Sequence, residues 1–185
     1  MATEPRLYLD TNVILDVLNN RWEPSKKLLD RIRIEHWKCI TSRFTFLEML
    51  DVEHEQRFIE NLMAEGYPLS RVRDLLGTRR QKSRGLPKRD LESVIAKLYD
   101  AQHTMFSCIE FQWPVAESFW NRVDEYCAAT NLAVADAMHL AFAIESEANI
   151  LVSRDKDFCA IADDFIIAIP PDTIDSALAK LNKIS

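Results

Sequence analysis

Short apolar runs alternate along this chain with longer segments whose apolar residues recur every three or four positions. The runs predict strands and the longer segments predict helices. Strands are predicted at 6–10, 38–41, 149–153 and 165–169. Because strands that alternate with helices are typical of parallel sheets, we predict an α/β fold with a parallel sheet.

The segments between these strands start at residues that favour helix ends. Thr11 or Asn12 is suited to cap the first helix, since a short polar side chain can accept a hydrogen bond from the first turn. Asn131 is suited to cap a later helix that is apolar on nearly every side. The helices after the first are predicted at about 24–37, 43–65, 90–108, 114–130 and 133–148, with another at the C-terminus.

The segment around 66–89 interrupts this pattern. It contains all three glycines of the chain, and between Arg71 and Arg89 it has eight basic residues against one acid, Asp74. None of the glycines follows a strand, which excludes the Gly-rich phosphate-binding turns of dinucleotide folds and P-loop proteins. We predict a single domain over 1–185 that carries a basic helical or loop insertion at 66–89.

Charge and cysteine content narrow the function classes further. The net charge of −6 argues against a dedicated duplex-binding protein, although it leaves a nuclease possible, because carboxylates that hold metal make such a site acidic. The four cysteines form no CxxC pair, so we expect reduced core cysteines and no zinc site. The chain starts with charge and proline and has no long apolar run, which predicts a cytoplasmic protein without a membrane span.

Acidic residues follow two of the predicted strands. Asp10 ends the first strand, and Asp155 and Asp157 follow the strand at 149–153. Because ligands of open α/β sheets bind at the carboxyl ends of strands, we expect these acids to share one edge. Asp10 alone could also be a helix cap. Glu48 flanks the apolar side of its helix, and the simpler interpretation is a surface glutamate.

Asp136 lies in the nearly all-apolar helix at 133–148. A carboxylate buried there needs a metal ion or a basic group as partner, because an unpaired buried charge is costly. The alternative is a first-turn acid stabilised by the helix dipole. His139, one turn later, is interpreted as a structural group or as a hydrogen-bond partner of the acids, with metal binding as the alternative.

These segments, taken in order, resemble a PIN domain. The first half is carried by LYLDTNVILD at 7–16 and by Glu48, and the second by ADAMHLA at 135–141 and LVSRDKDF at 151–158. The resemblance covers about 6–65 and 114–170, and it is closest to the VapC-type toxin ribonucleases of toxin–antitoxin pairs. The distance between Glu48 and Asp136 is longer here than in compact toxins.

The resemblance implies a three-layer α/β/α fold and a metal-dependent endoribonuclease that hydrolyses RNA. It further implies an antitoxin protein as partner and a homodimer. Carboxylate ligands favour Mg²⁺ or Mn²⁺. Carried onto this chain, the catalytic and metal-binding acids are Asp10, Glu48, Asp136 and Asp155, with Asp157 as a second contributor from the last segment. Supporting polar positions are Thr11, Asn12, Ser153 and His139. The candidates for RNA contact in the basic insertion are Arg79, Arg80, Lys82 and Arg84.

Two other functions are compatible with the same fold class. A non-catalytic PIN-like domain would bind RNA or a protein, although such a domain has no need for the set of acids. A phosphatase of the haloacid dehalogenase type also has an aspartate at the end of its first strand. That chemistry needs a second aspartate two residues later, where this chain has Asn12.

Overall fold

The computed structural model describes residues 4–82, 87–114 and 117–184, with the backbone alone for 78–82 and 184. Five strands are present in the described chain: β1 (Arg6–Leu9), β2 (Lys38–Ser42), β3 (Glu110–Gln112), β4 (Ile150–Val152) and β5 (Ile167–Ile169). Its helices are α1 (Thr11–Leu18), α2 (Glu23–Glu35), α3 (Arg43–Ala64), α4 (Leu69–Lys82), α5 (Lys88–His103), α6 (Phe119–Thr130), α7 (Val134–Glu145), α8 (Lys156–Ala162) and α9 (Ile174–Ile184). A short 3-10 helix, Pro171–Thr173, precedes α9.

The chain divides into two compact units, of which the first contains Met1–Thr45 and Ser107–Ser185. The strands of this unit form one parallel sheet in the order β3-β2-β1-β4-β5. The central strand β1 pairs with β2 and β4, so that Tyr8 lies beside Ile40 and Leu151. The predicted α/β fold with a parallel sheet is confirmed.

Helices cover both faces of this sheet because its strands are apolar on both sides. Tyr8, Ile40 and Leu151 face one side, where they join a buried core with residues of α6, α7 and α8. Residues that alternate with them, such as Leu7 and Val152, are buried toward the other side, where α1, α2 and α9 form the third layer. The layers follow the predicted α/β/α arrangement.

The second unit is Phe46–Phe106 and contains most of α3 together with α4 and α5. The rings of Phe46 and Tyr99 pack with their centroids 5.0 Å apart. Lys97 Nζ lies 2.5 Å from Glu53 Oε2, and this glutamate is buried. These contacts join α3 to α5. Much of the insertion predicted at 66–89 therefore forms a regular helix, α4.

Several details of the strands and helices differ from the sequence predictions. Strand β3 was not predicted, since a strand of three residues that includes Glu110 and Gln112 has no apolar run. Helix α6 begins at Phe119 and not near residue 114. Asn131 does not cap α7: it ends α6 in the left-handed conformation, with φ of 57°, which asparagine tolerates better than most residues. Along the described chain, we find no helix with both the length and the apolar character that a bilayer requires.

Candidate functional site

The site is built around Asp10, the residue that follows β1 at the carboxyl edge of the sheet. Its backbone N–H donates to Val152 O at 3.0 Å, which extends the pairing of β1 with β4 by one residue. The residue is buried, at 7% exposure. Asp10 caps α1, in place of the predicted Thr11 or Asn12, because its Oδ1 accepts a hydrogen bond from the Thr11 backbone N–H at 2.6 Å. The carboxylate is thus fixed where the central strand becomes a helix.

Two further side chains hold the other carboxylate oxygen of Asp10. Asn12 Nδ2 and Ser153 Oγ each donate to Oδ2 at 2.6 Å. Asn12 also donates to Ser153 Oγ at 2.9 Å and accepts from the Arg154 backbone N–H at 2.8 Å. These hydrogen bonds join α1 to the loop after β4, and they satisfy a carboxylate that would otherwise be buried at a large cost.

The loop after β4 carries the second acid of the site, Asp155. Its backbone N–H donates to Ser153 Oγ at 3.1 Å, so Ser153 contacts both Asp10 and Asp155. Asp155 caps α8, since its Oδ1 accepts from the backbone N–H groups of Asp157 and Phe158. Asp157 is an exposed residue in the first turn of that helix. Of the two alternatives in this segment, the structure connects Asp155 to Asp10.

His139 lies behind Asp10 in the core. Its Nδ1 is 2.6 Å from the hydroxyl of Tyr8, and its Nε2 is 3.4 Å from Thr11 Oγ1 and 3.7 Å from Asp10 Oδ1. Both Tyr8 and His139 are buried. Sequence reasoning placed His139 near the acids but did not include Tyr8. The sequence signal for Tyr8 was its hydroxyl group, which lies between two leucines in a strand that was predicted to be buried.

The remaining predicted acids lie on other elements. Asp136 is in the first turn of α7 and is half-buried, and the exposed Val134 shows that this end of the helix reaches the surface. The expectation of an acid deep inside an apolar helix is wrong for Asp136. Glu48 is half-buried on α3 and belongs to the second unit. The backbone of α4 includes Arg79, Arg80 and Lys82, whose side chains lie outside the described residues, as does the whole of Arg84.

The acid that is buried in an apolar helix is Asp16 on α1, which sequence reasoning quoted but did not single out. Its side chain is 2% exposed and accepts a hydrogen bond from Arg154 Nη1 at 2.9 Å. Ser25 Oγ on α2 lies 3.3 Å from its other oxygen. The rule that a buried carboxylate needs a partner is correct here, but it applies to Asp16 and its partner is an arginine.

The oxygen ligands at Asp10 and Asp155 are of the kind that a hard divalent cation prefers. The described hydrogen bonds use one acceptor position on Oδ1 and two on Oδ2, and a carboxylate offers about four. Among the described residues, Asp155 Oδ2 takes part in no hydrogen bond, while Oδ1 accepts two. In this part of the chain, however, no three His, Cys, Asp or Glu side chains are grouped so that they could hold a metal ion together.

The carboxylates of this edge also affect Cys159 on α8. Burial raises the pKa of its thiol to about 11, and the charges of Asp10 and Asp155 add to the rise. The thiol is 3.4 Å from Ser153 O. It therefore stays protonated at neutral pH and packs beneath the acids as a neutral group.

Comparison with known proteins identifies the family. The model of the PIN domain matches residues 7–164, which is most of the chain and spans both units. Among solved structures, a toxin-antitoxin complex from Klebsiella pneumoniae is similar, with 16% sequence identity and a TM-score of 0.49 over 90% of this chain and 97% of that chain. No curated protein is significantly similar in sequence. On the family match and the parallel sheet with acids at its carboxyl edge, this chain belongs to the PIN domain family.

Proposed function

We propose that this protein is a metal-dependent endoribonuclease that uses Mg²⁺ or Mn²⁺. PIN domains are generally metal-dependent nucleases. The single observation that carries the proposal is the network at the carboxyl edge of the sheet, in which Ser153 connects the buried Asp10 to Asp155. Two carboxylates from neighbouring strand ends, each fixed by hydrogen bonds, are suited to bind a hard cation next to a phosphate.

The residues of the network have two kinds of role in this proposal. Asp10 and Asp155 would hold the cation, with Glu48, Asp136 and Asp157 as the further acids that the resemblance implies. Thr11, Asn12 and Ser153 keep the Asp10 carboxylate in one orientation, which is the usual role of groups that hydrogen-bond a metal ligand. When bound, the cation supplies Lewis-acid stabilisation of the charge that develops on the phosphate.

The experiment is a cleavage assay with the purified full chain. Fluorescently labelled single-stranded oligoribonucleotides and fragments of tRNA, rRNA and mRNA are incubated with Mg²⁺, Mn²⁺ or EDTA. Cleavage should require the metal, and Asp10→Asn should reduce its rate by more than about 100-fold, because it removes a metal ligand and not only its hydrogen-bonded support. The matched control is Asp164→Asn, an exposed aspartate after α8, which should cleave like the wild type. Equal rates for Asp10→Asn and wild type would remove Asp10 from the site.

We further propose that the chain is the toxin of a toxin–antitoxin pair, acts on RNA in the cytoplasm and forms a homodimer. This part rests on the resemblance of the acid-bearing segments to toxin ribonucleases. Induced expression in a bacterial host should slow growth, and Asp10→Asn should not, although both proteins accumulate equally. Sedimentation of the purified protein measures the dimer. A monomeric, active protein that leaves growth unchanged would contradict this proposal but not the nuclease activity.

A further inference from the structure

Two tryptophans of the first unit are more than half exposed. Trp113 directly follows β3 and is 57% exposed, and Trp120 in the first turn of α6 is 55% exposed. Tryptophan is highly buried on average, and exposed aromatic patches usually mark a binding surface. The two side chains meet at one ring: the centroid of Phe44 is 6.1 Å from that of Trp113 and 6.4 Å from that of Trp120.

The exposed indoles are held in place by rings that belong to the core. Phe44 stacks on Phe119 with centroids 5.8 Å apart and an interplanar angle of 22°. Phe119 is fully buried and also contacts Trp120 at 5.1 Å and Phe142 of α7 at 6.4 Å. Because these contacts restrict the indoles before any ligand arrives, a ligand that stacks on them loses little additional conformational freedom.

This aromatic cluster, Phe44, Trp113 and Trp120, lies at the same edge of the sheet as the acids. Strand β3 runs parallel to β2 with Gln112 beside Ser42, so Trp113 emerges at the carboxyl edge. Only β2 separates β3 from β1 in the sheet order. Two inter-strand spacings amount to about 10 Å between the end of β3 and the end of β1, where Asp10 lies.

We propose that the aromatic cluster binds unpaired bases of single-stranded RNA by stacking. The inference rests on the proposed nuclease function and adds to it a base-binding surface at the same edge of the sheet. In a chain of net charge −6, stacking adds affinity for RNA that does not depend on neutralising its phosphates. Stacking is also tolerant of sequence, because every base has a π face.

The test compares two oligomers that differ only in their bases. One is an unstructured 12-nucleotide RNA, and the other is its abasic counterpart with the same number of phosphates. Binding is measured by fluorescence anisotropy and by quenching of indole fluorescence, in EDTA so that metal-dependent cleavage is stopped. Wild type should bind the base-containing oligomer more tightly. Trp113→Ala and Trp120→Ala should each weaken that binding by about 5- to 150-fold, the range measured for loss of one stacking ring.

Two sets of variants separate stacking from general effects. Trp113→Phe and Trp120→Phe keep a ring and should retain most of the affinity. Phe165→Ala removes another exposed aromatic ring, which precedes β5 at the opposite edge of the sheet, and should bind like the wild type. All variants should keep the wild-type affinity for the abasic oligomer and remain folded at the temperature of the assay, as circular dichroism measures.

Several outcomes would overturn the inference. Equal binding of both oligomers by the wild type, or no loss in the double alanine variant, would show that the cluster does not bind bases. If the double variant instead changes the association state of the chain in sedimentation, the cluster is a contact between two copies. If the wild type cleaves RNA with metal but the tryptophan variants bind RNA as tightly as the wild type, the stacking surface is refuted and the nuclease function is not. Absence of cleavage with every metal would refute the proposed function.

Discussion

Ser153 is the residue at which the hydrogen bonds of the site converge. Its hydroxyl donates to Asp10 and accepts from Asn12 and from the Asp155 backbone, and it is fully buried. A hydroxyl has one donor and two acceptor positions, so all three are used. The orientation of the Asp10 carboxylate and the position of the Asp155 backbone therefore both depend on one small side chain.

Replacing that hydroxyl should weaken metal binding more than it weakens the fold. Ser153→Ala removes a hydrogen bond from Asp10 Oδ2 and should raise the Mg²⁺ concentration needed for half-maximal cleavage by about 10- to 100-fold. The matched control is Ser25→Ala, which removes a buried hydroxyl that bonds to Asp16 away from the acids. Both variants should lose about 1–3 kcal/mol of unfolding free energy, and only Ser153→Ala should change the metal titration. The same metal titration in both variants would refute the orienting role.

The buried thiol of Cys39 on β2 should make stability fall at alkaline pH. Burial raises the pKa of this thiol well above its ordinary value of 9.0, and the charges of Cys108 and Glu110 add to the rise. Because the folded protein keeps the proton that the unfolded chain loses, the stabilisation is complete below pH 9 and decreases as the pH rises from there toward the raised pKa.

The measurement is the free energy of unfolding in urea as a function of pH. Between pH 8 and pH 10.5, Cys39→Ala should show a smaller decrease than the wild type, although it starts from a lower value because of the cavity. Parallel curves for the two proteins would show that the thiol does not contribute.

At the scale of elements, the site depends on how α1 and the loop between β4 and α8 are held together. Asn12 bonds to Ser153 and to the Arg154 backbone, and the Arg154 side chain reaches Asp16 on the same helix. Asp10 and Asp155 follow different strands, and they keep their positions because several hydrogen bonds connect this helix to this loop. Sequence spacing placed both elements, but the bonds between them arise only when the sheet is formed.

Breaking the ion pair between Arg154 and Asp16 should loosen this connection. Arg154→Met leaves the Asp16 carboxylate buried with Ser25 as its remaining partner, and it should cost about 1–3 kcal/mol. The half-exposed guanidinium places the loss toward the lower end of that range. Adding Asp16→Asn to Arg154→Met should cost less than the sum of the single changes, as measured by urea unfolding in a double-mutant cycle. Additive losses would mean that the pair contributes no coupling.

At the scale of the whole molecule, charge is unevenly distributed along the chain. The stretch from Arg71 to Arg89 has eight basic residues and one acid, a local charge of +7, while the whole chain has −6 and the remainder therefore −13. This stretch contains most of α4 and the start of α5, both in the second unit. A concentration of positive charge in an acidic protein is suited to attract RNA phosphates.

We therefore expect a salt-dependent loss of RNA binding when serine replaces four basic residues together: Arg79, Arg80, Lys82 and Arg84. The slope of log K against log salt should flatten by about 0.7 for each phosphate contact that is lost. The control replaces Lys26, Lys27, Lys180 and Lys183 of α2 and α9 by serine, which changes the net charge equally. The control should keep the wild-type slope. Equal slopes for all three proteins would refute the role of the basic stretch.

The sequence by itself determined the parallel α/β fold, the membership of the PIN domain family and the placement of the acids at strand ends. These features are local: apolar runs specify β1, β2, β4 and β5, and the residue after a strand lies at the edge whatever the rest of the fold does. This is why Asp10, Ser153 and Asp155 could be found together before any coordinates were known.

Tertiary structure decided which polar groups are buried and what they contact. Asp16 and Asp136 both lie in apolar helices, yet only Asp16 is enclosed, because its helix packs against α2 and the Arg154 loop, while α7 begins at the surface. Tyr8 reaches His139 from a position 131 residues earlier in the chain, and the exposed tryptophans meet at Phe44 from β3 and α6. Such contacts depend on the three-dimensional packing of distant segments, and the local sequence around one residue does not identify its partner.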